Sequence, residues 1–84
     1  MNNFIAHINV MPHKELLDPQ GKAVQDTLHK MEFSGIGDVR IGKHISLQIT
    51  AADANTATAM AEDACKRLLY NAVMEQYEIT IQAL

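Results

Sequence analysis

The side chains able to do chemistry are few and scattered. His7, His13, His29 and His44 fall at intervals that suit no common metal site, and no Cys-x-x-Cys pair accompanies them. Cys65 is the single cysteine, so no internal disulfide can form, and nothing beside it in sequence lowers its pKa enough to make a nucleophile. Gly35-Ile36-Gly37 lacks the third glycine of a dinucleotide-binding loop and leads toward a strand, and no P-loop is present. The richest stretch is Leu17-Asp18-Pro19-Gln20-Gly21-Lys22-Ala23-Val24. Asp18 is placed to cap a helix by accepting from an orphan amide of its first turn, and Pro19 lacks only an N–H that the first helical position would leave unpaired. Gly21, inside that turn, costs about 1 kcal/mol relative to alanine, so something must approach closely there. Two readings fit: tight packing against a strand, or a partner or anionic ligand at the positive end of the helix dipole, with Lys22 adding a full charge.

The elements that must carry these residues follow from periodicity. Phe4, Ala6, Ile8 and Val10 alternate with His7 and Asn9, which predicts a half-buried first strand. After a connection from Pro12 to Leu17, Val24, Leu28 and Met31 recur at helical spacing, and Gly35 is suited to end that helix in a left-handed conformation. Val39-Arg40-Ile41 reads as a second strand. A three-residue turn, Gly42-Lys43-His44, leads to a third strand at Ile45–Thr50, with Ile41 opposite Ile45. Asp53 and Asn55 offer caps to a second helix whose stripe is Ala57, Met60, Ala61, Ala64 and Leu68, widened by Cys65 and Leu69. Asn71 closes it, and Tyr77, Ile79, Ile81 and Ala83 alternate through a last strand.

The order is βαββαβ, and it predicts an α+β, ferredoxin-like domain over residues 1–84. Right-handed crossovers give a four-stranded antiparallel sheet in the order 4-1-3-2, with both helices on the face of Ala6, Ile8, Leu47, Ile49, Ile79 and Ile81. The other face is uncovered. It carries His7, Asn9, Ser46, Gln48 and Thr80, together with Ile5, Thr50 and Gln82, and its only obvious charges are Arg40 and Glu78. Neutral polar side chains can hydrogen-bond across an interface without the several-kcal/mol cost of burying each ion, so this face is expected to be buried at least partly in a homo-oligomer, a dimer or a dimer of dimers. Pairing through the sheet edges is the rival arrangement.

Composition excludes more than it selects. Of 84 residues, 48% are hydrophobic and 20% charged, which is the balance of a globular chain. A chain this short buries only about 60–65% of its unfolded surface and has little core to enclose an active site. The formal charge of −3 and the absence of a basic stripe argue against nucleic-acid binding. So does the open sheet face, which lacks the exposed aromatics that stack RNA bases. No apolar run approaches the ~18 residues of a membrane span or the pattern of a signal peptide, which points to the cytoplasm.

Taken together, Leu17–Val24, Val39-Arg40-Ile41-Gly42-Lys43 and Leu68-Leu69-Tyr70-Asn71 resemble the PurS family, the small subunit of phosphoribosylformylglycinamidine synthase. The resemblance spans nearly the whole chain, and the first motif is the most specific. It departs from the family pattern at Ala72, where a proline usually follows the asparagine. The resemblance implies a part in the fourth step of purine biosynthesis, without a catalytic site, cofactor or metal on this chain. A separate glutaminase subunit would release ammonia, and a separate synthetase subunit would use ATP and magnesium. The chain would hold the two together, assist ammonia transfer and self-associate. Gln20, Lys22, Arg40 and Lys43 are the candidate contacts to the larger subunits. A ligand-sensing regulatory domain of the same fold is the alternative. An acylphosphatase is disfavoured, because Met11-Pro12-His13-Lys14 supplies no arginine-bearing anion loop after the first strand.

Overall fold

A computed structural model describes all residues from Met1 to Leu84. The elements run β1 (Asn2–Pro12), α1 (Pro19–Lys30), β2 (Lys43–Ala51), α2 (Ala54–Ala64) and β3 (Glu75–Ala83). The sheet has three antiparallel strands in the order β2-β1-β3, so the expected four-stranded sheet of order 4-1-3-2 is not what forms. Val39-Arg40-Ile41 forms no strand and lies outside the sheet, and no hairpin turns at Gly42-Lys43-His44. Lys43 and His44 already belong to β2, paired with Val10 and Asn9.

The physical reason lies at the end of β1. A Cβ on Gly42 would overlap the Val10 carbonyl and the Met11 side chain, so the chain passes hard against the strand end there and continues beyond it. With no turn, residues before Gly42 cannot fold back along the edge of β2.

The second departure concerns α1. Only α2 packs across the three strands. Its Ala57 and Ala61, with Cys65, cover Phe4, Ala6, Ile8, Val10, Ile49 and Ala51 in one core cluster. Helix α1 instead leaves the sheet with the segment that follows it, and the Cα trace measures 52 × 27 × 14 Å. The long dimension is about what an 11-residue strand (~36 Å) and a 12-residue helix (~18 Å) give end to end. Val24 and Met31, expected in a core, are therefore 39% and 61% exposed. Met60 and Leu68 on the second helical stripe are likewise exposed.

Leu68 turns outward because α2 does not continue as an α-helix. Cys65–Leu69 forms one wider turn, closed by the Tyr70 amide donating to the Cys65 carbonyl five residues back. The wider turn keeps Cys65 buried and swings Leu68 to solvent.

Both helix starts behave as their sequences require. The Asp18 side chain accepts from the Gly21 amide and the Asp53 side chain from the Thr56 amide. The end of α1 does not fall at Gly35. Glu32 takes the left-handed conformation (φ 71°), its amide bonding the His29 carbonyl and that of Phe33 the Leu28 carbonyl, the two bonds of a Schellman motif. No helix is long and apolar enough to cross a membrane.

Candidate partner interface

The candidate residues fall in two places. Gln20, Lys22, Arg40 and Lys43 surround the base of the projecting arm, formed by α1 and residues 31–42, while His7, Asn9, Ser46, Gln48 and Thr80 lie on the sheet face opposite α2.

At the arm base the organiser is Asp18. One carboxylate oxygen accepts from the Gly21 amide at 3.1 Å and the other from the Ile41 amide at 2.7 Å. These bonds, first that from Ile41 and then that from Gly21, hold the Asp18 carboxyl below the usual range, and the Arg40 charge adds to them. A Cβ on Gly21 would run into the Val39 carbonyl, so the glycine serves close packing of the first turn against the backbone at Val39. Arg40 completes the clamp. Its guanidinium donates to the Leu16 carbonyl at 2.6 Å, the Lys14 carbonyl at 2.8 Å and the Asp38 carboxylate at 3.1 Å. Lys22 pairs with Asp26 one helical turn away, and Gln20, Lys22 and Lys43 are exposed. A shallow groove of about 340 Å³ between Leu16, Leu17, Ile41 and Met74 separates this base from the corner after α2.

That corner, where the sequence departs from the resemblance, is pinned by His13, the residue after β1. The His13 amide donates to the Met74 carbonyl at 3.0 Å and its ring Nε2 donates to the Ala72 carbonyl at 3.2 Å.

The open sheet face is a hydrogen-bonded layer. His44 Nδ1 bonds Asn9 Oδ1 at 2.7 Å, and Asn9 Nδ2 donates to Glu78 Oε1 at 3.2 Å. His7 Nε2 bonds Gln82 Oε1 at 2.9 Å. Amide oxygens can only accept, so the named ring nitrogen is the donor in each of these bonds. The two rings stand 5.7 Å apart, centre to centre. Glu78 is the one carboxylate of this face, and Arg40, expected beside it, is at the arm base instead. Sequence reasoning missed His44 and Gln82 as partners of Asn9 and His7. The even parity that His44 shares with Ser46 and Gln48 was the available signal.

No group of three or more His, Cys, Asp or Glu is placed to hold a metal ion. Cys65 is buried, and burial first, then the Glu62 charge, pushes its thiol up and away from a reactive thiolate.

A family model described as PurS, phosphoribosylformylglycinamidine (FGAM) synthase, matches residues 5–83. The chain belongs to the PurS family. The PurS subunit of FGAM synthase from Synechocystis is 39% identical over 99% of this chain and 83% of its own length. That from Bacillus subtilis is 39% identical over 82% of this chain and 81% of its own. A crystal form of B. subtilis PurS superposes with a TM-score of 0.84 at 35% identity, covering 94% of this chain and 98% of that one. A chain in the structure of PurLQS from Thermotoga maritima superposes with a TM-score of 0.88 at 30% identity, covering 100% of both.

Proposed function

We propose that this chain is the small, non-catalytic subunit of a cytoplasmic FGAM synthase, holding a glutaminase and a synthetase subunit together and assisting ammonia transfer between them. The observation that carries the reading is the end-to-end match to a chain of the T. maritima PurLQS assembly. The residues of this chain support it chemically: its histidines donate to carbonyl or amide oxygens, and its one thiol is buried. In this reading ATP and magnesium act on the synthetase subunit.

Gln20, Lys22 and Lys43, exposed around a rigid arm base, are proposed contacts to the larger subunits. Arg40 contributes by holding that base in shape. The open sheet face, through His7, Asn9, Ser46, Gln48 and Thr80, is proposed as a self-association surface in a dimer or tetramer.

Reconstitution tests the reading. Mixed with the synthetase and glutaminase subunits, the chain should be required for glutamine-dependent FGAM formation, while the isolated chain turns over nothing. Full glutamine-dependent activity without it would overturn the assignment. Lys22→Glu together with Lys43→Glu should weaken co-purification, and undiminished assembly would remove those contacts.

A further inference from the structure

We propose that the groove between the arm base and the corner after α2 receives a segment of one of the larger subunits in which a bulky apolar side chain stands next to a lysine or arginine. This site deepens the subunit reading and rests on it.

The three stretches that carry the family resemblance, far apart in sequence, all reach this groove. Leu17, Asp18 and Pro19 come from the first, Ile41 from the second and Asn71 from the third. Its apolar side chains are left open to solvent: Leu17 is 77% exposed, Met74 46% and Ile41 37%. The backbone beneath them is nevertheless fixed on both sides. On one wall Arg40 donates to the Leu16 carbonyl and Asp18 accepts the Ile41 amide. On the other the His13 amide donates to the Met74 carbonyl, and the Asn71 carbonyl accepts the Met74 and Glu75 amides at 3.1 and 2.7 Å. Apolar side chains on a backbone that is already ordered lose little freedom when a partner covers them, so their burial goes further toward affinity. At about 340 Å³ the groove is near the lower limit for small-ligand sites, and it is shallow. It therefore suits side chains offered by another surface better than a whole metabolite.

The charges select the occupant. Asp18 and Glu75 are the only ionisable side chains lining the groove, and both are acidic. Glu75 accepts the Asn71 amide at 2.9 Å through one carboxylate oxygen, and its second oxygen has no partner in the chain. Asp18 is kept ionised by the two amides it accepts, and the neighbouring Arg40 guanidinium is engaged with the Leu16 and Lys14 carbonyls and the Asp38 carboxylate. A cation beside an apolar anchor answers both features of the groove. A second copy of this chain does not: a twofold contact from groove to groove would set Asp18 and Glu75 against acidic counterparts.

The test uses the full chain reconstituted with the synthetase and glutaminase subunits. A photoreactive residue in place of Leu17 should cross-link to a larger subunit, at a segment where an apolar residue neighbours a lysine or arginine. Leu17→Asp with Met74→Asp should weaken co-assembly on the order of tenfold or more, while circular dichroism of the isolated chain stays unchanged. Glu75→Gln keeps an acceptor for the Asn71 amide and loses the charge, so its co-assembly should fall less steeply with added salt than that of the wild-type chain. A cross-link to a second copy of this chain, to a segment without a cation, or to neither larger subunit overturns the inference. So does a doubly substituted chain that assembles like the wild type, or a Glu75→Gln chain with the wild-type salt dependence. Should the two Asp substitutions unfold the chain, the cross-link and Glu75→Gln still decide. Glutamine-dependent activity that does not need the wild-type chain defeats the subunit reading itself, whereas an assembly that needs the chain and ignores these substitutions defeats only the groove.

Discussion

The Asp18 carboxylate accepts the Ile41 amide at 2.7 Å while its other oxygen caps the first turn of α1 at Gly21, so one side chain joins two segments 23 positions apart. The ionised carboxylate accepts both amides more strongly than the protonated acid would, and this is why the carboxyl is held below its usual range.

The pH dependence follows from that. A carboxyl whose folded pKa is lowered stabilises the fold fully above its unfolded value, and the contribution disappears as pH falls through the lowered one. Hydrogen exchange at the Ile41 and Gly21 amides should accelerate on acidification below the ordinary aspartate range. Asp18→Asn, which keeps one strong acceptor, should accelerate it at neutral pH and flatten the acid response. Equal protection in both proteins across that range would show that the clamp rests elsewhere.

Gly21→Ala pits two effects against each other. Alanine gains about 1 kcal/mol in helix propensity. Its methyl group must displace the Val39 backbone, an overpacking cost of about 1–3 kcal/mol at a place where no flexible side chain can yield. The packing cost wins, and thermal denaturation should show a lower midpoint. A raised midpoint would mean that the arm base is free to open.

Tyr70 and Tyr77 meet edge to face, ring centres 4.7 Å apart at 72°, and join the wide turn after α2 to β3. A double-mutant cycle through Tyr70→Leu and Tyr77→Leu should give a coupling of about 0.5–1.5 kcal/mol in urea denaturation. Additive effects would leave the pair as mere neighbours.

Cys65 is fully buried and its thiol is pushed up by burial. It should react with a disulfide reagent at neutral pH only as fast as the protein opens, and at once in denaturant. Rapid labelling of the folded chain would contradict the packing of the turn at Cys65–Leu69.

Local chemistry and side-chain period were legible in the residues themselves. Asp18-Pro19 and Asp53 mark helix starts because a cap is a bond to an amide three residues on. The alternation of Phe4, Ala6, Ile8 and Val10 marks a strand because every second side chain shares a face, and that parity placed His7, Asn9, Ser46, Gln48 and Thr80 together on the open one. The motifs around Asp18, Arg40 and Leu68 sufficed to place the chain in its family. Whether Val39-Arg40-Ile41 would pair with β2, and whether α1 would cover the sheet, was not legible, because their apolar pattern is the same whether the surface that buries them belongs to this chain or to another. The tertiary structure decided it through contacts between residues far apart in sequence: Asp18 with Ile41, Arg40 with Leu16, and Gly42 against Val10 turn the arm outward. A periodic sequence states that a face must be buried, and only the geometry of the chain's connections states against what.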